Sequence, residues 1–314
     1  MKYWQTTITL WFQLAGGDSD LVLDIIEKLK GDKHITYVWF NTGLEYQATK
    51  DHLEYLEKKY NIEILREPPT HSIPYCCKEY GLPFLSKKVS EEIESLQHYG
   101  FKWEDRPYEE LIEEYPKIKS RIAWWCNHYP VANGYKTTMF NINHNKWLKE
   151  FLIKNPPLFK ISAKCCKYAK KLPNTNLMSR MNADLNIIGV RRCEGGTRSL
   201  GNTCFTTDSK GVGKFRPIFW LTNTDKKIYE ELFNITHSDC YKVYGLQRTG
   251  CVGCPYAYSF YGENELETIK KYEPKLYKAC MNIFGESYEY TKKYREFYVE
   301  QEEKLKCNSQ NATT

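Results

Sequence analysis

The sequence predicts an α/β fold, an open and mostly parallel sheet with helices on both faces. Two observations carry this prediction. Three short runs rich in β-branched and aromatic residues alternate near the N-terminus with two segments of helical apolar spacing. A pair of glycines separates the first run from the helical segment that follows it. Such alternation is typical of parallel strands, because each strand needs a crossover that returns the chain to the same edge of the sheet.

Five elements make up this alternation, and they end where the apolar periodicity stops. Lys30 and Gly31 end the first helix, and residues 41–43 end the second strand. In chain order, we predict a strand at residues 6–14, a helix at 21–29, a strand at 34–40, a helix at 45–60 and a strand at 61–66.

The middle of the chain interrupts this pattern. Residues 68–155 are rich in aromatic residues and helical in patches, which indicates a helical insertion beside the sheet. The predicted helices of the insertion lie at residues 86–98, 108–115 and 145–153.

The sheet is predicted to resume at residues 185–190, and a helical tail is predicted at residues 263–303. We therefore expect one α/β domain over residues 1–260, including the insertion, followed by a C-terminal helical tail over residues 261–314.

Composition narrows the classes of function. With 41% hydrophobic and 27% charged residues, the chain of 314 residues is not disordered throughout. No apolar stretch approaches the roughly 18 residues of a membrane span. The first residues lack a signal-peptide pattern, so we expect a cytoplasmic protein whose 12 cysteines stay reduced and serve metal, cluster or redox chemistry. A net charge of +6 suits an anionic small ligand and permits weak contact with nucleic acid.

A glycine turn joins the first predicted strand to the first predicted helix. Glycines let the backbone approach a ligand closely, and the start of a helix offers free N–H groups and a positive dipole, so the turn is a candidate phosphate site. A plain strand-to-helix turn with an Asp or Ser cap is the alternative. The candidate residues are Ala15, Gly16, Gly17, Asp18, Ser19 and Asp20.

A candidate arginine loop follows the last predicted strand. Arg191, Arg192 and Arg198 lie within eight residues, although the chain otherwise favours lysine. Guanidinium groups bind phosphate or sulfate oxygens in a bidentate manner, and Glu194 can hold one of them in place. The alternative is a structural Arg–Glu network at the end of a strand. Cys193 lies inside this loop, where neighbouring cations favour a thiolate, and is a candidate sulfur-handling group.

Three motifs resemble those of the phosphoadenosine-phosphosulfate (PAPS) reductase family, within the superfamily of PP-loop ATP pyrophosphatases, the adenine-nucleotide α-hydrolases. The glycine turn is similar to Ser-Gly-Gly-Lys-Asp-Ser, with Ala15 replacing the first Ser and Asp18 the Lys, or with a gap at the Lys position. The arginine loop resembles Gly-Ile-Arg-Arg-x-Glu-Ser/Gly-x-x-Arg. Residues 41–45 resemble Asp-Thr-Gly-x-Glu, with Asn41 replacing Asp and with Thr42, Gly43 and Glu45 matching the motif. The resemblance implies the PP-loop fold and an adenine-nucleotide site on these segments.

Two pairs of cysteines flank the arginine loop, Cys165 with Cys166 and Cys251 with Cys254. A Cys-x-x-Cys turn can bind zinc, form a redox dithiol or stay free, whereas adjacent cysteines suit zinc poorly. The order and spacing resemble the arrangement that holds a [4Fe–4S] cluster in adenylylsulfate reductases and DNA-phosphorothioation enzymes of this superfamily. The resemblance implies a [4Fe–4S] cluster on these four thiolates, with Zn²⁺ or free thiols as the alternatives.

The resemblance also implies an enzyme of sulfur metabolism that binds ATP, PAPS or adenosine phosphosulfate (APS), with Mg²⁺ as a further candidate cofactor. Two chemistries fit: ATP-dependent adenylation of an acceptor followed by sulfur transfer (thiolation), or reduction of a sulfonucleotide by a thiol. The family's C-terminal Glu-Cys-Gly-x-His segment is missing, since the tail offers only Lys306, Cys307 and Asn308, and this favours adenylation. A nucleotide-binding protein without catalysis is the third alternative.

The partners expected from the resemblance are an adenine nucleotide and a sulfur donor or thiol reductant protein. A nucleic-acid acceptor and a second copy of the chain, forming a homodimer, are further expectations.

Overall fold

The computed structural model describes residues 8–11, 17–132, 135–136, 138, 140–195, 198–209, 211–247, 249–261 and 263–311. The chain divides into two compact units. The first comprises residues 1–73, 166–252 and 268–276, and the second comprises residues 74–165, 253–267 and 277–314. The segments of the predicted insertion and tail fall mainly in the second unit. The predicted boundary at residue 260 stays a prediction.

A sheet of six strands forms the centre of the first unit, in the order β3-β2-β1-β6-β8-β7. Neighbouring strands run parallel except β7, which is antiparallel to β8. A two-stranded antiparallel ribbon, β4 with β5, lies in the second unit. The strands are β1 (Ile8–Trp11), β2 (Ile35–Phe40), β3 (Ile64–Glu67), β4 (Val131–Ala132), β5 (Tyr135–Lys136), β6 (Leu185–Ile187), β7 (Phe205–Thr207) and β8 (Gly213–Phe215).

Helices make up most of the rest of the described chain. They are α1 (Gly17–Leu29), α2 (Gln47–Tyr60), α3 (Ile73–Tyr80), α4 (Lys87–His98), α5 (Tyr108–Glu114), α6 (Lys119–Trp125), α7 (Leu148–Lys154), α8 (Lys164–Cys166), α9 (Leu172–Arg180), α10 (Asn223–Leu232), α11 (Asp239–Lys242), α12 (Pro255–Tyr261), α13 (Glu263–Tyr272) and α14 (Pro274–Asn311). A stretch of π-helix, Lys167–Lys171, connects α8 to α9. In these described ranges, no helix is both long and apolar enough to cross a membrane.

Side chains of β2 alternate between the two faces of the sheet, as the period of a strand requires. Tyr37 and Trp39 pack with apolar residues of α1 and α2, whereas Val38 and Phe40 pack with Leu177 of α9. Helices therefore cover both faces of a mostly parallel sheet, and the predicted fold class is confirmed. The α14 helix confirms the predicted helical tail.

The second unit has its own aromatic core. Trp124 and Trp125 of α6 and Phe151 of α7 are fully buried in it, and Tyr294 of α14 joins them. Burial of such large rings accounts for much of the hydrophobic stabilisation of a small core. The helices of the second unit thus pack around a core of their own.

Candidate functional site

Gly17, the second glycine of the predicted turn, is the first residue of α1, which therefore begins four residues before the predicted start at residue 21. Ala15 and Gly16 lie outside the described residues. A Cβ atom placed on Gly17 would lie 3.1 Å from Lys226 Nζ and 3.1 Å from His237 Cε1, closer than most real Cβ contacts. Glycine is therefore the residue that lets these two side chains approach the start of α1.

Asp18, at the position of the family's lysine in the ungapped alignment, lies between two cations. Its Oδ2 accepts a hydrogen bond of 2.9 Å from Arg191 Nε, and its Oδ1 lies 2.7 Å from Lys226 Nζ. Burial alone would raise the pKa of Asp18, but the hydrogen bonds from Lys226 and Arg191 hold it below its usual value. Asp18 is therefore ionised, and its charge is compensated within the protein.

Arg191 joins the arginine loop to this pair. It follows β6 by a few residues and is almost fully buried. Its Nη1 donates to Asn223 Oδ1 over 2.8 Å and to Cys193 Sγ over 3.0 Å, while its Nε donates to Asp18. A guanidinium group with this many acceptors is fixed in orientation.

The other two arginines of the loop are more accessible. The Arg192 guanidinium lies 5.5 Å from the centroid of the exposed Trp220 ring. Arg198 forms an ion pair with Glu194, and Glu194 Oε2 also accepts a hydrogen bond of 3.1 Å from Arg191 N. The structural Arg–Glu network that the sequence offered as an alternative is therefore present.

Helix α10 supplies three residues of this region, none of which was predicted as a site residue. The helix starts with a capping box, in which Thr222 Oγ1 accepts from Asp225 N and Asp225 Oδ2 accepts from Thr222 N. Asn223, Lys226 and Glu230 then recur at helical spacing and share one face. The capping box could have been recognised in the sequence, but nothing in the sequence shows that this face meets α1.

A buried carboxylate of α1 is held between two histidines. Asp20 Oδ1 lies 2.9 Å from His52 Nε2, and Oδ2 lies 2.7 Å from His237 Nδ1. The other ring nitrogen of His237 lies 2.9 Å from Glu230 Oε1. Burial lowers the pKa of His237, but its hydrogen bond to Asp20 and the charges of Asp20 and Glu230 outweigh burial and raise this pKa. A protonated His237 is therefore stabilised between two carboxylates.

A small pocket opens beside this carboxylate. Most of its lining residues carry a polar group, although the exposed wall is largely apolar, and the pocket has room only for a group about the size of water. It is lined by Asp20, Thr49, His52, Leu53, Ser238, Tyr241 and Thr249.

The segment after β2 contacts Cys251, the first cysteine of the second pair. Thr42 Oγ1 donates to Glu45 Oε1 over 2.6 Å and also hydrogen-bonds the Cys251 thiol. Asn41 Oδ1 accepts from Gly43 N over 3.0 Å and so shapes the turn. Burial raises the pKa of Glu45, despite the opposing charge of Lys170. The Asn41–Gly43 segment thus supports Cys251.

The four cysteines predicted to bind a cluster are divided between the units: Cys166 and Cys251 belong to the first, and Cys165 and Cys254 to the second. Burial raises the pKa of the Cys251 thiol, while Lys170 opposes this and Cys166 adds to it. Across the ranges that the structure covers, no group of three or more His, Cys, Asp or Glu side chains is arranged to hold a metal ion. Four thiols are nonetheless the donor chemistry that iron–sulfur clusters use.

Comparison with known proteins finds a family match for part of the chain. No curated protein sequence matches it. A crystal structure of phosphoadenylyl-sulfate (PAPS) reductase from Candida auris, a phosphate complex, is similar at 12% identity, covering 80% of this chain and 82% of that chain with a TM-score of 0.40. The family model for the phosphoadenosine phosphosulfate reductase domain matches residues 127–257, less than half of the chain. That segment contains the arginine loop and both cysteine pairs, and it confirms the resemblance to the PAPS reductase family.

Proposed function

We propose that the protein binds an adenine nucleotide at the carboxyl ends of β1 and β6 and uses it in sulfur chemistry. The observation that carries this proposal is the junction of the two candidate loops, where Asp18 is paired with Arg191 and Lys226 adds a second cation. Cations at this edge suit a phosphate or sulfate ligand, because open parallel sheets bind ligands beyond the carboxyl ends of their strands. The family-model match supports the same proposal.

The reaction we propose is adenylation followed by sulfur transfer. An acceptor oxygen attacks the α-phosphorus of ATP, the bond from that phosphorus to the bridging oxygen breaks, and pyrophosphate leaves. A sulfur nucleophile from a donor protein then displaces AMP from the acceptor. Arg191, Arg192 and Arg198 would compensate the charge of the nucleotide's anionic groups, with Mg²⁺ on the phosphates.

Sulfonucleotide reduction is the second candidate, and one observation favours it. Cys193 is exposed in the arginine loop, and its Sγ accepts a hydrogen bond from Arg191 Nη1. In that reaction, a thiolate attacks the sulfur of the sulfonucleotide, the sulfur–oxygen bond to the phosphate breaks, and AMP or its 3′-phosphate leaves. A thiol reductant then attacks Cys193 Sγ, the bond from Sγ to the sulfonate sulfur breaks and sulfite leaves, and a second thiol reduces the disulfide that has formed.

Product analysis separates the candidates. Purified protein is incubated with Mg-ATP, and pyrophosphate is measured; in parallel it is incubated with APS or PAPS and a dithiol, and sulfite is measured. Pyrophosphate without sulfite supports adenylation, and sulfite without pyrophosphate supports reduction. Bound nucleotide with neither product supports a binding protein without catalysis. Failure to bind any adenine nucleotide would refute the whole proposal.

We further propose that Cys165, Cys166, Cys251 and Cys254 bind a [4Fe–4S] cluster. Such a cluster would supply electron-rich iron and sulfide atoms to the proposed sulfur chemistry. The pattern of the two pairs and the four-thiol donor set support this, and Zn²⁺ is the alternative metal. Anaerobic purification followed by absorption spectra and iron, sulfide and zinc assays tests the proposal. Cys254→Ala should abolish iron binding. Cys77→Ala should keep it, because Cys77 belongs to a separate adjacent pair, Cys76 and Cys77, that is not among the proposed ligands. A colourless protein that contains zinc would contradict the cluster.

A further inference from the structure

The glycine turn lacks the lysine of the PP-loop pattern, and the fold brings a lysine to the same place from a distant helix. Lys226 lies on the first turn of α10, and its Nζ is 2.7 Å from Asp18 Oδ1. The same ammonium group would lie only 3.1 Å from a Cβ on Gly17. It therefore sits directly over the residue that begins α1.

Asp18 lies between this ammonium group and the Arg191 guanidinium. The side chains are largely shielded from solvent, with 14% of Asp18, 8% of Arg191 and 22% of Lys226 exposed. Glu230 Oε1 is a more distant acceptor for Lys226 at 3.5 Å. Partial burial strengthens these attractions relative to a surface pair, because water screens them less. The Asp18 carboxylate thus occupies a position between two cations, and an oxyanion of a ligand could occupy the same position.

We propose that Lys226 supplies, from α10, the phosphate-binding cation that the glycine turn lacks, and that Asp18 is an internal anion that the ligand's phosphate displaces. This inference rests on the proposed nucleotide site. Lys226 is then a binding residue, and Asp18 sets specificity by competing with the ligand for Lys226 and Arg191. A ligand must interact more strongly with these two cations than one carboxylate does. This requirement favours a multiply charged phosphate over a neutral or singly charged group.

Calorimetric titration of the full-length protein with ATP, and separately with inorganic pyrophosphate, tests both parts. Lys226→Met should weaken binding by about tenfold or more, the value of one charge-assisted contact to phosphate. Lys227→Met is the matched control, because Lys227 is the next residue on the same helix, has a side chain 77% exposed and faces Glu231 at 3.8 Å. It should change binding by less than about twofold. Lys226→Arg keeps the charge and should retain most of the affinity.

Asp18→Asn removes the competing charge while keeping the shape, so it should tighten pyrophosphate binding. Thermal unfolding of each variant shows whether it is folded before titration. Equal affinity of Lys226→Met and the wild type would overturn the role of Lys226. Weaker binding by Asp18→Asn, above all when the loss depends on Mg²⁺, would overturn the role of Asp18, because the carboxylate would then be a cation ligand. If the wild type binds neither probe, the proposed function itself fails.

Discussion

Arg191 Nε donates a hydrogen bond of 2.9 Å to Asp18 Oδ2, and this contact joins two segments that are 173 residues apart in the sequence. An uncompensated acidic residue in a turn proposed to bind phosphate would repel the ligand. The contact removes that conflict, because the charge of Asp18 is balanced by a guanidinium group that is itself buried. Asp18 of the glycine turn and Arg191 of the arginine loop therefore form one ion pair that links the two segments.

This pairing predicts strong energetic coupling between the two residues. Arg191→Met should lower the free energy of unfolding by about 1–3 kcal/mol, because Asp18 Oδ2 and the amide oxygen of Asn223 each lose the donor that Arg191 provides. In the double variant with Asp18→Asn, part of that loss should be recovered, giving a coupling energy of about 1 kcal/mol or more. Urea unfolding of the wild type, both single variants and the double variant measures it.

The Arg66–Glu57 pair is the control for this cycle. It has two hydrogen bonds of 2.7 Å, but 42% of the Arg66 side chain is exposed. Because water screens an exposed pair, Arg66→Met should cost less than about 1 kcal/mol. A cost at Arg191 no greater than that at Arg66 would contradict the structural role of the buried pair.

The rate at which the Cys193 thiol reacts should report whether a nucleotide occupies the proposed site. Cys193 and Cys307 are both exposed, so both should react quickly with iodoacetamide. A nucleotide bound against Arg191 would shield Cys193, whereas Cys307 on the last turns of α14 should react at the same rate with and without ATP. Peptide mass spectrometry after timed labelling measures both rates.

A Cys193→Ser variant extends this test to the chemistry. If adenylation is the reaction, the variant should release pyrophosphate at the wild-type rate, because a hydroxyl preserves the shape of the loop. If the thiol handles sulfur, sulfite release should fall by at least about a hundredfold, as expected for loss of a nucleophile. Full sulfite release by the variant would dismiss Cys193 as the nucleophile.

Much of the α/β framework could be predicted because its signals are local. The alternation of Tyr37 and Trp39 with Val38 and Phe40, and the helical periods on either side, depend only on neighbouring residues. Elements that are too short for periodicity were missed. Strands β7 and β8, with three residues each, are examples.

The composition of the charged site could be predicted only in part. Arg191 and Asp18 belong to motifs and were found by their sequence, but Lys226 and His237 have no spacing that marks them. His237 meets Asp20 from 217 residues away, and the contact exists because α10 and the segment after it pack against α1. Periodicity shows which face of a helix is polar, but it does not show which partner that face will meet.

The Asp20–His237–Glu230 contacts predict a pH-dependent contribution to stability. Because the pKa of His237 is raised in the folded protein, its contribution is fully present below the unfolded value of about 6.5 and is lost as pH rises through the folded value. The pKa of Asp20 is lowered, so its carboxylate stays ionised above about pH 4.

His237→Gln should therefore destabilise the protein by about 1 kcal/mol more at pH 5.5 than at pH 9. Chemical unfolding at the two pH values measures the difference, and the exposed His34→Gln variant serves as the control for general effects of histidine titration. A loss that is equal at both pH values would mean that His237 is neutral in the folded protein.

Two neighbouring glycines near the second cysteine pair, Gly253 and Gly250, should differ strongly in how well they tolerate a side chain. Gly253 has φ of 62°, a left-handed conformation that L side chains rarely adopt, and a Cβ there would lie 2.7 Å from Cys280 Sγ and 2.7 Å from Tyr288 Oη. Gly250, three residues earlier, has no atom within 4 Å of its ideal Cβ position. Gly253→Ala should thus cost about 1–3 kcal/mol of unfolding free energy, whereas Gly250→Ala should change it by less than about 0.5 kcal/mol.

The same pair of variants separates fold stability from metal binding. Strain at Gly253 changes the path of the chain between Cys251 and Cys254, so iron content per protein should fall in Gly253→Ala even at temperatures where the protein stays folded. Gly250→Ala should keep the iron content of the wild type. Unfolding curves and iron assays on the same preparations measure both effects. Normal stability and normal iron content in Gly253→Ala would show that the turn tolerates a side chain at this position, contrary to the close contacts with Cys280 and Tyr288.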